Sequence, residues 1–328
     1  MSTIINFIFY SVRAGVPYML GTTGEVINEK SGSLNLGVEG IMAVGAIIGY
    51  YFGSMTNSLF FSLLFAFLAG ALCSLIYAFL TVTLHANQNV TGLALTIFGI
   101  GVYKFIGSVL MSSKTYPSLN DNKHLASMVR DNGIPFLRDI PYVGKLLFSY
   151  NLFVYIAIVV AIVAWIYIEK TKTGLRMRAV GENPGAADAC GVNVVRQRYL
   201  NLLLGGGICG MGGLYLGLVT NSGAWNDAWI NGAGWVSVAL VIFVKWSPMR
   251  AIFGAIFFGM LNTLQPWKGN LAKAFPSVLG WLGAIPNEFY QALPFLITAI
   301  VLIISSIRKK KSGQQPAACG VNYFREER

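Results

Sequence analysis

An all-α, polytopic bundle of membrane-spanning helices is the fold class this sequence predicts, and three observations carry it. Of 328 residues, 55% are apolar or aromatic and only 11% are charged, against roughly 25% charged in an ordinary soluble domain. No Asp, Glu, Lys or Arg occurs between Glu39 and Lys104, a stretch long enough for about three bilayer crossings of ~20 residues each. Further uncharged runs lie at Leu146–Ile168, Tyr199–Asn226, Ala228–Val244, Ala251–Trp267 and Phe289–Ile307.

Taken in chain order, the first apolar run is Ile5–Leu20, interrupted by Arg13. It follows no basic segment and precedes no small-residue cleavage site, so it is expected to stay as a helix. Spans follow at Leu36–Gly53, Leu59–Leu84 and Val90–Met111. A hydrophilic stretch, 112–150, then contains Pro117, Pro135 and Pro141 with mixed charges; it is longer than a connection needs. It is either a floppy loop or an ordered cap that docks an external partner. The remaining spans are Leu152–Ile168, Tyr199–Thr220, Ile230–Val244, Ala251–Gln265 and Pro286–Ile307. The count is about nine, with eight and ten as alternatives. Residues 1–307 thus form one transmembrane domain, without room for a sizeable soluble module.

Orientation comes from the basic residues. The net charge is +11, from 24 Lys plus Arg against 13 Asp plus Glu, and its location matters more than its size. Lys170, Lys172, Arg176, Arg178, Arg196 and Arg198 fall in one segment, 170–198, and Arg308, Lys309, Lys310, Lys311, Arg325 and Arg328 in the tail, 308–328. Short loops rich in Lys and Arg stay cytoplasmic. The C-terminus is therefore inside, the Lys245–Arg250 link is inside, 112–150 is outside, and an odd span count puts the N-terminus outside. With no interleaved aromatics the charge does not read as a nucleic-acid surface.

Polar groups at membrane depth are costly and so are candidates for function. Gly21–Gly40 (GTTGEVINEKSGSLNLGVEG) places Glu25, Glu29, Glu39, Asn28 and Asn35 among glycines between two apolar runs. Such a stretch reads as a discontinuous helix or re-entrant turn, tolerated where it is buried or lines a wet cavity. Glu25, Glu29 and Lys30 fit an ordinary cytoplasmic turn equally well, whereas Asn35 and Glu39 are expected to face the translocation pathway. His85-Ala-Asn-Gln-Asn89 is good turn chemistry, and its functional reading sets Asn87 and Gln88 at the pathway mouth. Trp225 and Trp229 fit an outer interfacial belt; Trp235, just inside a span, offers an indole to a flat or sugar-like solute. The glycines from Gly205 to Gly217 have small-xxx-small spacing, which lets helices approach closely in lipid. They lack the strand that a phosphate loop needs. Cys73, Cys190, Cys209 and Cys319 form no metal-binding or disulfide pattern and read as packing residues.

Segment 170–198 contains a short helix of its own. Asn183 is an N-cap, Pro184 a first-turn residue and Gly191 a stop, with Ala186-Ala187-Asp188-Ala189 between. A compact cytoplasmic helix braced between two spans can pass a push from a soluble partner into the membrane. Here the sequence resembles a known family. GEVINEKSGSLNLGVEGIMAVGA from Gly24, HANQNVTGLALTIFGIG from His85 and TGLRMRAVGENPGAADACGV from Thr173 are similar to the permease subunits of ABC importers of the ribose and branched-chain amino acid superfamily. They look most like the nucleoside-type branch that works with basic-membrane-protein-like lipoproteins. GWVSVALVIFVKWSPMRAIFGAIFFG from Gly234 extends the likeness over most of the chain.

The resemblance implies a cell-membrane (inner-membrane) permease of a bacterial importer for a nucleoside or purine-like solute, with riboflavin or a simple sugar as the alternative. It implies as partners an ATP-binding cassette subunit, a second permease or another copy of this chain, and an extracytoplasmic solute-binding lipoprotein. Gly181, Glu182, Asn183, Pro184, Ala186, Ala187 and Asp188 would form the coupling helix that seats in the ATPase. ATP and Mg would be bound by that partner, with no cofactor, metal or catalytic residue on this chain. An ion-coupled secondary transporter would need an ionic relay through the core, an intramembrane enzyme a pair such as Ser-Lys or His-Glu, and a channel would leave the coupling segment unexplained.

Overall fold

The computed structural model describes residues 2–113, 123–138, 140, 143–308 and 314–325. Pro117 and Pro141 of the long loop and Lys309, Lys310, Lys311 and Arg328 of the tail lie outside these. Among the described residues the protein is helical, with no strand. In order the helices are α1 (Ser2–Lys30), α2 (Val38–Thr56), α3 (Leu59–Ala78), α4 (Gln88–Ser112), α5 (Lys123–Val129), α6 (Leu152–Lys170), α7 (Lys172–Glu182), α8 (Pro184–Ala189), α9 (Val194–Tyr215), α10 (Ala233–Phe243), α11 (Pro248–Ala274), α12 (Pro276–Leu279) and α13 (Asn287–Arg308). Wider π turns lengthen α3 to Thr83 and α9 to Thr220. Every expected apolar run is occupied by a helix, and five are long and apolar enough to cross a membrane: α2, α3, α4, α6 and α9 with their extensions.

Starts are set by side chains that accept the first free N–H groups of a helix. Asn87 accepts from Val90 N at 3.1 Å, Asn151 from Val154 N at 3.1 Å, Asn183 from Ala186 N at 3.0 Å and Asn193 from Arg196 N at 2.8 Å. Each such cap contributes about 1 kcal/mol. Helix α9 starts five residues before the expected Tyr199, because the Asn193 cap fixes it there rather than the edge of the apolar run.

Helices α1, α2 and α9 form the interior, while α3, α4 and α6 turn apolar side chains such as Leu72, Ile97, Phe105, Val159 and Val163 outward. That inversion suits lipid, where an apolar surface costs nothing and helices associate by close packing. The α9 glycines do pack as their spacing predicts. A Cβ on Gly205 would strike Gly24 O of α1 at 2.5 Å, and one on Gly210 would crowd Ala66 and Gly70 of α3.

Three expectations need correction. The break in Gly21–Gly40 is shorter than read: α1 stays helical through Lys30, and only Ser31–Gly37 turns before α2. Gly32, at φ +88°, ends the helix in a conformation that favours glycine. The truly short element is α10, whose 11 residues reach about 16 Å at 1.5 Å per residue, half a bilayer core. Asn231-Gly232, at φ +46° and +84°, opens Ile230–Val244 with turn chemistry, and the helix begins only after it. Trp229 is likewise not an interfacial belt residue: it is 2% exposed and packs beside Tyr50, Tyr103 and Gly217.

Candidate translocation cavity and coupling surface

A cleft opens between the N-terminal half of α1, the end of α9, the C-terminal half of α11 and the start of α13. Its volume is about 780 Å³, and its lining includes Tyr10, Arg13, Tyr215, Thr220, Asn262, Gln265, Trp267 and Asn287. Tyr10 and Trp267 place their rings 5.4 Å apart, tilted by 39°, as two walls of an aromatic platform. Asn262 donates to Tyr18 Oη at 3.3 Å, which fixes its amide beside that platform. Aromatic walls interleaved with placed amides and hydroxyls suit a small, flat, polar solute.

Arg13 supplies the cleft's cation. Its guanidinium lies 5.7 Å over the Tyr10 ring and 2.8 Å from Asp131, in the long loop. Asp131 also accepts from Asn151 Nδ2 at 3.2 Å, and Asn57 Oδ1 accepts from Leu125 N at 2.8 Å. The described part of the long loop is thus tied to α1, α2 and α6, with Leu125 fully buried.

The residues expected to line the pathway lie elsewhere, where they hold α1, α2, α4 and α10 together. Glu39 is 5% exposed and sits on the N-terminus of α10, accepting from Gly232 N at 2.8 Å and Gly234 N at 2.6 Å. A carboxylate there satisfies free N–H groups and the positive end of the helix dipole. Asn35 is buried, donating N–H to Glu25 at 3.0 Å and accepting from Gly37 N. Glu25 also accepts from Asn28, and Glu29 accepts from Trp246 Nε1 at 2.5 Å. Gln88 accepts from Leu34 N at 2.8 Å, while Asn87 is the exposed cap of α4. Trp235 is half-buried in α10. None of Asn35, Glu39, Asn87, Gln88 and Trp235 lines the cleft at Tyr10 and Trp267.

The coupling residues, by contrast, are brought together. Gly181 at the end of α7 lies against Lys30 and Gly32, too close to admit a Cβ. In α8, Ala187 is buried with Val180 and Val194, while Glu182, Asn183 and Ala186 are exposed. One side of the short helix is therefore anchored and the other presented. Sequence reasoning passed over Asn262, Gln265 and Trp267, whose polar and Pro266-kinked pattern at the end of an apolar run was a usable signal. It treated Arg13 only as an interruption.

A multi-pass helical membrane protein, with a polar and aromatic cleft at one end of its core helices and a short braced helix at the other, has the outline of a transport permease. The sequence matches the family described as "Branched-chain amino acid transport system / permease component" over residues 7–302, and the chain belongs to that family. It is 34% identical to the nucleoside ABC transporter permease protein NupC of Lactococcus lactis, over 99% of this chain and 97% of that one. It is 33% identical to a putative glucose ABC transporter permease protein of Haloferax volcanii, over 99% of each. It is 32% identical to the guanosine ABC transporter permease protein NupQ of Bacillus subtilis, over 95% of this chain and 94% of that one. No solved structure matches it.

Proposed function

We propose that this chain is the membrane permease subunit of an ATP-driven nucleoside importer and that the Tyr10–Trp267 cleft receives the solute. The observation that carries the reading is the aromatic and amide lining of that cleft in a chain alike over its whole length to nucleoside permeases. Base rings stack on aromatic faces, and amides read their polar edges. The chain works with an ATP-binding cassette subunit, a second permease or another copy of itself, and an external binding protein; ATP and Mg are the ATPase's. The long loop and Asn221–Trp229 face the binding protein.

The basic link, segment 170–198 and tail support a cytoplasmic C-terminus, and nine crossings then leave the N-terminus outside. In that orientation the cleft faces outward, Glu25, Asn35 and Gln88 stand toward the inner end, and Glu39 and Trp235, at the start of α10, lie between the two ends. Inward opening parts α10 from the α1–α2 turn and brings Asn35, Glu39 and Trp235 to the pathway, with Asn87 and Gln88 at its inner mouth. Alternating access of this kind moves packed elements as bodies about a fixed site. Gly181, Glu182, Asn183, Pro184, Ala186, Ala187 and Asp188 receive the ATPase's movement.

The glucose reading is favoured by the Haloferax volcanii relatives, and the cleft separates the two. Trp267→Ala should lower the uptake of labelled nucleoside about tenfold or more, from ~1–3 kcal/mol of lost base stacking, with the assembled complex recovered in normal amount. Unlabelled nucleoside should compete in the parent and glucose should not. Competition by glucose alone would transfer the assignment to a sugar.

A further inference from the structure

The end of the chain, expected to be a plain basic tail, is folded against the coupling segment. Between residues 317 and 325 it meets three separate parts of the inner face. On the coupling segment, Ala318 N donates to Gly181 O at 2.9 Å and Ala317 N to Glu182 Oε2 at 3.3 Å. Tyr323 Oη donates to Asp188 Oδ2 at 2.9 Å, and Arg325 Nε lies 3.3 Å from the same oxygen. On the α1–α2 turn, Gly320 N donates to Gly32 O at 3.3 Å. On the α3–α4 turn, Asn322 Nδ2 donates to His85 O at 2.6 Å and Ala86 O at 3.1 Å, while its Oδ1 accepts from Gln88 Nε2 at 3.1 Å.

Two features show that this is more than a tail lying on a surface. Arg198 of α9 is 2% exposed, and its Nη2 donates to Val321 O at 3.0 Å. Burying a guanidinium costs several kcal/mol unless acceptors meet it, and here the tail brings one. The second feature is a void of about 680 Å³, walled by Thr83 and His85 on one side and by Asp188, Gly191 and Val192 on the other. Tyr323 and Arg325 line it as well, so the tail bridges α8 and the α3–α4 turn across a gap. From Asn322 the hydrogen bonds continue through Gln88 to Leu34 N, one residue before the Asn35 N–H bonded to Glu25.

We propose that residues 317–325 are a strap that carries the displacement of α8 to the α1–α2 and α3–α4 turns, with Asn322, Tyr323 and Arg198 as positioning residues for coupling. The proposal rests on reading α8 as the helix that docks on the ATPase. The strap holds three elements at fixed spacing, so a push on α8 moves the turns that close the inner end instead of dissipating in the void. Without it α8 still presents its exposed face to the ATPase, but the membrane part no longer follows.

The test uses the complete complex in proteoliposomes and reads ATP hydrolysed per solute imported. Two variants are compared with the parent, a chain ending at residue 313 and the double variant Asn322→Ala, Tyr323→Phe. Both should co-purify with the ATPase, and the ratio should rise about fivefold or more, the scale of a modest coupling energy. If the tail served only to hold the fold, hydrolysis and import would fall together and the ratio would stay that of the parent; that result overturns the strap. Should the shortened chain fail to assemble, the double variant alone decides by the same ratio. A third chain, with Glu182 to Asp188 replaced by a flexible linker, separates the two readings. If it uncouples the complex and the strap variants do not, the strap fails alone; if it leaves the ratio unchanged, the docking role of α8 fails.

Discussion

Replacing Glu182 to Asp188 by a flexible linker of equal length is expected to reduce ATP-driven uptake to background while the membrane helices remain folded. The reason lies in how little of α8 the membrane domain itself requires. Its buried contribution is Ala187 against Val180 and Val194, and its two ends are held by the Asn183 cap and by hydrogen bonds to the tail. Loss of the Asn183 cap and of one small apolar contact costs about 1 to 2 kcal/mol, tolerable for a domain of this size. What disappears is the rigid face formed by Glu182, Asn183 and Ala186. Stimulation of the ATPase by loaded binding protein should vanish with uptake, measured on the same vesicles. Retained stimulation would place the docking contact elsewhere, for example along the basic face of α7.

The second large effect is on stability. Glu39→Ala leaves the Gly232 and Gly234 N–H groups without their acceptor in a buried setting, at ~1–3 kcal/mol for each unpaired donor. It also removes the negative charge from the N-terminus of α10, worth about 0.3–1 kcal/mol. The neighbouring backbone cannot shift to compensate, because a Cβ on Gly234 would already meet Glu39 N at 2.5 Å. The unfolding temperature in detergent should fall by roughly 5 °C or more, with Glu39→Gln, which keeps one acceptor, clearly milder. If both variants unfold like the parent, the carboxylate does not hold α10.

The positions of the helices were legible because bilayer thickness forces long uncharged runs, and those runs stand out in a chain with so few charges. The start of α8 at Asn183-Pro184 was legible because capping is local chemistry, whereas α9 was expected at Tyr199, the edge of the apolar run, and starts at the Asn193 cap instead. The half-length of α10 was marked only by Asn231-Gly232, turn chemistry at the head of a largely apolar run, and the carboxylate on its first N–H groups, Glu39, lies far away in the sequence. The role of Glu39 could be suspected from its cost at membrane depth, but a buried carboxylate looks the same in sequence whether it faces a solute or a helix end.

The tail shows the other limit. Its contacts run largely through backbone carbonyls of Gly32, His85, Ala86 and Gly181, which every residue type offers, so composition reported only a basic, polar segment. Arg13 and Trp267 belong to helices nearly the whole chain apart, and only the packing of α11 on α1 shows that they share a cleft.

Passage of a nucleoside across the membrane under the drive of a partner ATPase is tested directly by uptake of labelled nucleoside into proteoliposomes. These hold the chain with its ATPase, companion permease and binding protein, with ATP and Mg on the cytoplasmic side. Accumulation should require ATP and the binding protein and survive collapse of the proton and sodium gradients. Uptake that persists without ATP and follows an ion gradient would contradict ATP-driven import.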